Sequence, residues 1–107
     1  MLHFIESPVY SRQIDALLTS DEHNLLQLAL VEQPEAGDII RGSGGLRKMR
    51  WSVAGSGKRG GIRVIYYLHH KDTVYLLFAY RKNSQENLTS AQLGMLKQLI
   101  DQYTHEG

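Results

Sequence analysis

Residues Ile62 to His69 read IRVIYYLH, His70 to Asp72 read HKD, and Thr73 to Tyr80 read TVYLLFAY. Two β-branched and aromatic runs of strand length around a short polar turn predict a β-hairpin. Immediately before it, Ala54 to Gly61 is a glycine-rich turn, and Leu46 to Val53 alternates well enough for another strand. Three strands in succession, joined by turns, make an antiparallel meander.

Outward from the meander, the flanks are helical. Ser7-Pro8 pairs a serine N-cap with proline at the first helical position. Tyr10, Ile14, Leu17 and Leu18 then share one helix face. Thr19-Ser20-Asp21-Glu22 breaks that helix and caps a second, whose apolar face is read as Leu25, Leu28 and Ala29, widened by Leu26 and Leu30, with Pro34 ending the segment. Met1 to Glu6 suits a short strand, and Glu35 to Gly45 reads as a loop closed by Ile39-Ile40. At the other end, Thr89 to Gln92 is a capping box opening a helix with Leu93, Leu96, Leu99, Ile100 and Tyr103 as its stripe. The expected order is β-α-α-β-β-β-α, an α+β fold with an antiparallel sheet core and helices packed on one face. With 107 residues, the chain is read as one domain, 1–107.

Composition narrows the chemistry. The chain has no cysteine, which removes disulfides, thiol nucleophiles and cysteine metal sites and fits a reducing cytoplasm. MLHFIESPVY has no basic n-region or long apolar run, so it is not read as a signal peptide, and no apolar stretch approaches a membrane span. The net charge of +1 hides a polarity along the chain. Residues 1–40 carry seven acids and one base, residues 41–82 ten bases and one acid, and residues 83–107 three acids and one base, or −6, +9 and −2. A basic face on an acidic body is expected.

That face centres on Arg41 to Arg63, RGSGGLRKMRWSVAGSGKRGGIR, which holds seven cations, seven glycines and no carboxylate. Such a stretch suits phosphate contact. It is not a P-loop: Ser52 stands where the first glycine belongs, Arg59 follows Lys58 in place of serine or threonine, and a strand follows instead of a helix. The five histidines show no metal spacing, and no serine lies in a G-x-S-x-G setting. No metal or cofactor is therefore expected. What remains is a set of cations on neighbouring strands. Lys48 and Arg50 are two apart and share a strand face, while Arg47 and Met49 face the other way, Met49 into the core. Arg63 lies on the next strand, and Arg81 and Lys82 end the third after Tyr80. The meander is expected to bring Lys48, Arg50, Arg63, Tyr80 and Lys82 onto one concave surface.

The element order, with P-E-A-G-D-I-I-R-G-S-G-G-L-R-K-M-R from Pro34 to Arg50 and G-K-R-G-G-I-R-V-I-Y-Y from Gly57 to Tyr67, resembles the RelE/ParE toxin superfamily and its HigB-type branch. The resemblance implies a toxin of a type II toxin–antitoxin pair, a small RNase that enters the ribosomal A site and cuts mRNA. It also implies a co-expressed HigA-type antitoxin with a helix-turn-helix, through which alone operator DNA is met. Carried over, the family's second-strand cations match Lys48 and Arg50, its third-strand arginine matches Arg63, and the base after its last strand matches Lys82. Relatives that place a tyrosine near the final helix are matched here by Leu88 and Thr89, which leaves Tyr80 as the nearest substitute. Arg41, Arg47, Lys58, Arg59 and Arg81 are expected to grip ribosomal RNA. Arginine can clamp phosphate in a bidentate manner. Crowding by like charge disfavours a protonated lysine, so Lys48 or Lys82 can serve as base or acid. Two other readings stay open: a ParE-like gyrase poison, which has the same fold but whose relatives tend to lack the strand cations, and a non-catalytic RNA- or ribosome-binding module, to which the same basic face is equally suited.

Overall fold

The computed structural model describes residues 1–53 and 61–105. Its elements are β1 (His3–Glu6), α1 (Pro8–Leu17), α2 (Ser20–Glu32), β2 (Asp38–Ile39), β3 (Arg47–Trp51), β4 (Ile62–His69), β5 (Thr73–Arg81) and α3 (Ser90–Thr104). The α+β order is the expected one with a two-residue strand, β2, added at Asp38–Ile39. The five strands lie in the order β1-β5-β4-β3-β2.

Strands β3, β4 and β5 form the antiparallel meander, with Arg50 opposite Arg63 and Arg63 opposite Tyr80. His70 and Lys71 both take left-handed backbone, φ 53° and 65°, and Asp72 N–H donates to His69 O at 3.3 Å. This is the twist a two-residue hairpin needs.

Two details depart from the expectation. The sheet is mixed: β1 pairs with β5 in parallel, in register from His3–Thr73 to Glu6–Leu76. A four-residue strand carries no signal of its direction. It is set here by Ser7, whose N–H donates to Leu76 O and whose hydroxyl donates to Leu77 O at 2.7 Å while accepting from Tyr10 N–H to cap α1. The second departure is that helices cover both faces. Tyr10 and Ile14 of α1 and Leu26 and Leu30 of α2 pack with Met49, Ile62, Val64, Tyr66, Val74, Leu76 and Ala79. Leu96 and Ile100 of α3 pack on the other side with Ile65, Tyr75, Leu77, Phe78 and Tyr80. The cause lies in β5, where every residue from Val74 to Tyr80 is buried. An unbroken apolar strand needs cover on both faces, whereas one-sided cover goes with alternation.

Helix α2 is also rotated from the expected phase. Leu26 and Leu30 are fully buried, while Leu25 and Leu28 are each 58% exposed and Val31 is 50% exposed. The capping box between Thr19 and Glu22 fixes where the helix starts and so which leucines turn inward. Helix α3 begins as expected at Thr89 with Gln92 closing its capping box.

Candidate RNA-binding cleft

Alternation along β3 sends Met49 into the core and Lys48 and Arg50 to the α3 side of the sheet. Across the ladder, Arg50 faces Arg63 directly. Like charges opposite one another on a sheet are destabilising, so the pair is held against its own repulsion. Lys82 joins them because its N–H donates to Gly61 O at 3.0 Å, which carries the β4–β5 ladder one step past β5. The segment Asn83 to Asn87 then forms the opposite wall. Lys48, Arg50, Arg63 and Lys82 thus line one open cleft of about 560 Å³, with Glu86 its single carboxylate. Arg50 and Lys82 are exposed, and Lys48 and Arg63 half-buried.

The wall is held by side chains. Lys48 Nζ donates to Asn87 Oδ1 at 3.1 Å. Gln85 Nε2 donates to Asn87 O at 3.0 Å and to Gln92 Oε1 at 2.9 Å, which ties the wall to the capping box of α3. One η nitrogen of Arg63 donates to the neighbouring Ile62 O at 3.3 Å.

Tyr80 is the exception among the five expected site residues. It lies opposite Arg63 but beneath the cleft, 6% exposed, packed with Phe78 under α3. Burial pushes its hydroxyl up from the ordinary tyrosine range, and the Arg63 charge partly offsets this. Among the described residues its hydroxyl is the one buried side-chain polar atom with no hydrogen-bond partner.

The expected RNA-gripping residues scatter. Arg41 is exposed in the turn before β3. Arg47 faces away from the cleft, and its guanidinium donates to Glu35 O and Gly37 O at 3.2 and 2.8 Å, so it staples the loop after α2. Arg81, opposite Ile62, is exposed on the α1–α2 side of the sheet. Lys58 and Arg59, with most of the expected Ala54–Gly61 turn, lie outside the described residues. Among the described residues no group of three or more histidine, cysteine, aspartate or glutamate side chains could hold a metal ion, and no helix is long and apolar enough to cross a membrane. Sequence reasoning missed the Asn83–Asn87 wall; its signal was the amide-rich run NSQEN directly after the last strand.

Residues 19–106 match the family described as RelE toxin of the RelE/RelB toxin–antitoxin system. The fold is similar to that of a doubly arginine-substituted Escherichia coli toxin RelE in the free state. The TM-score is 0.56 and the identity 18%, over 79% of this chain and 87% of that one.

Proposed function

The chain belongs to the RelE toxin family of toxin–antitoxin systems, and from that premise we propose that it is a HigB-type endoribonuclease that cuts mRNA in the ribosomal A site. The observation that carries this reading is the convergence of Lys48, Arg50, Arg63 and Lys82 on one open cleft with a single carboxylate. Four cations on a concave surface attract a polyanion and focus its backbone there.

The chemistry is attack of a ribose 2′-oxygen on the adjacent phosphorus. A new O–P bond forms, the bond to the 5′-oxygen breaks, and a 2′,3′-cyclic phosphate and a 5′-hydroxyl result. Lys48 takes the 2′-hydroxyl proton and Lys82 returns a proton to the leaving 5′-oxygen or clamps the phosphate. Arg63, with Arg50 across from it, holds the non-bridging oxygens as their charge grows. Tyr80 acts as a positioning residue, since its hydroxyl is buried below Arg63 and does not reach the cleft. Every proton and charge in this scheme is assigned to side chains of the chain itself. Arg41 and Arg81, with Lys58 and Arg59, extend contact to ribosomal RNA. The partner is a co-expressed HigA-type antitoxin, and the setting is the cytoplasm.

Single-turnover cleavage of ribosome-bound mRNA tests the assignment. Arg63→Ala is expected to lower the rate by about 10²–10³, the worth of one preorganised charge-stabilising donor, with the melting temperature little changed. Full cleavage by that variant overturns the assignment. Intact mRNA together with DNA damage on induction overturns the nuclease reading in favour of gyrase inhibition.

A further inference from the structure

We propose that Asn87 is a positioning residue for the Lys48 amine and that the start of α3 sets its place, an inference that rests on the RNase reading above. Lysine has a long flexible stem, and on an open surface its amine samples many positions. A base must instead stay within hydrogen-bond reach of one proton. Arg50, Arg63 and Lys82 line the same cleft and repel the amine whenever it is charged. Asn87 opposes that drift, because Lys48 Nζ donates to its Oδ1 at 3.1 Å.

The kind of acceptor matters. A carboxylate at this place would also hold the amine, but it would favour the protonated form and so disable the base. An amide oxygen fixes the position without adding a charge. A neutral lysine amine has two N–H groups and one lone pair. With one N–H held by Asn87, the lone pair stays available in the cleft. Once the amine takes the 2′-hydroxyl proton, the ammonium keeps the same bond, so the transfer needs no rearrangement at Lys48.

Asn87 is itself anchored. Gln85 Nε2 donates to its backbone carbonyl at 3.0 Å and to Gln92 Oε1 at 2.9 Å. The same Gln92 oxygen accepts the Thr89 N–H at 2.9 Å and so closes the capping box of α3. Leu88, directly after Asn87, packs against the core that Leu96 and Ile100 of α3 help to form. The hold on Lys48 thus runs back through two glutamines to a helix seated in the core. Because the bond to Lys48 is exposed, its role lies in geometry more than in stability.

Single-turnover cleavage of ribosome-bound mRNA across a pH series tests this. Asn87→Ala is expected to lower kcat by about 10–10², the scale of a small misplacement of a reacting group, with KM within about twofold and the melting temperature unchanged. Asn87→Asp restores the acceptor but holds the proton on Lys48, so its cleavage should be slow at neutral pH and recover as pH rises. Asn87→Ala should not recover. The other charged groups around Lys48, namely Asp38 opposite it on β2 and Arg50, Arg63, Lys82 and Glu86 in the cleft, are the same in all variants, so the difference reports position 87. Gln85→Met keeps the volume and removes the donor, and should show the Asn87→Ala loss in weaker form. A wild-type rate in Asn87→Ala, or an Asn87→Asp defect that pH does not relieve, overturns the positioning role. A wild-type rate in Gln85→Met removes α3 from it. Should the wild type cut no mRNA at all, the RNase reading falls and the hold on Lys48 is decided by NMR. The Lys48 ammonium proton–nitrogen resonance, identified by its loss in Lys48→Arg, should be visible in the wild type and vanish in Asn87→Ala as exchange with water speeds up. Its absence from the wild type, or equal persistence in both proteins, overturns the hold.

Discussion

On the face of the sheet covered by α1 and α2, the interior tyrosines have partners. Tyr10 Oη lies 3.2 Å from His23 Nε2, and Tyr66 donates to Pro34 O and accepts from Gly37 N–H, both at 2.8 Å. On the face covered by α3, the buried Tyr80 hydroxyl has none, and the cover stops short so that Lys48, Arg50 and Arg63 meet solvent beside one another. The first face is closed by two helices and finished with hydrogen bonds. The second is closed by one helix and ends in a cleft whose like charges repel. Unmet polar groups and opposed cations are costs that packing alone would not retain. Under the proposed function, the α3 side is the working face and the α1–α2 side the support.

If the two faces have these roles, stability and activity separate across the sheet. On the working face, Lys48→Ala should slow mRNA cleavage by about 10²–10⁴, the range for loss of the proposed general base. Denaturant unfolding of the same variant should move by only about 0.5–1.5 kcal/mol, the worth of its hydrogen bond to Asn87. On the support face, Leu26→Ala should behave in the opposite way. Leu26 is fully buried, so truncation should cost about 2–5 kcal/mol with cleavage per folded molecule retained. A Leu26→Ala protein that is stable but inactive would show that the two faces are not independent.

What could be read beforehand follows the same division. The meander was legible because Ile62–His69 and Thr73–Arg81 are apolar runs around a polar turn. The two-sided cover is legible in the unbroken run from Val74 to Tyr80, although an antiparallel sheet commonly has one solvated face. Convergence of Lys48, Arg50, Arg63 and Lys82 follows from strand alternation together with the meander that sets their strands side by side. The phase of α2 did not, because leucines at 25, 26, 28 and 30 outline two overlapping faces and only docking chooses between them. The burial of Tyr80 is not legible, because a tyrosine ending an apolar strand reads the same whether or not a helix covers it. The Glu86–Asn87 wall carries no periodicity, and its shape depends on contacts with Lys48 and Gln92, distant in sequence.

Alkaline pH sharpens the contrast through the tyrosines. Burial raises Tyr10 well above the ordinary range, with the Glu6 carboxylate adding to it, and burial raises Tyr66 against the opposing Gly37 hydrogen bond. The folded state therefore keeps these protons where the unfolded chain, with tyrosine near pH 10, gives them up. Their contribution to stability is full below about pH 10 and is lost as pH rises past it. Unfolding midpoints measured from pH 8 to pH 12 should fall at the alkaline end, and Tyr10→Phe should flatten that fall. An unchanged alkaline slope in Tyr10→Phe would place the titration elsewhere.

Two hydroxyl deletions compare one atom on each face. Tyr66→Phe removes a hydroxyl that serves two backbone groups and leaves Gly37 N–H and Pro34 O without it. Gly37 sits so close that an added Cβ would lie 2.7 Å from the Tyr66 ring, so the loop has little room to find another partner. The cost should be about 1–3 kcal/mol. Tyr80→Phe removes a hydroxyl that serves none. A buried hydroxyl without a partner is itself unfavourable by about 1–3 kcal/mol, so this variant should be as stable as wild type or more so. Because the hydroxyl bonds to nothing, any support Tyr80 gives Arg63 comes from its ring, and Tyr80→Phe should leave kcat and KM near wild type. Equal destabilisation by the two substitutions would mean that Tyr80 is bonded in solution, and the contrast between the faces would then reduce to the cleft and its cations.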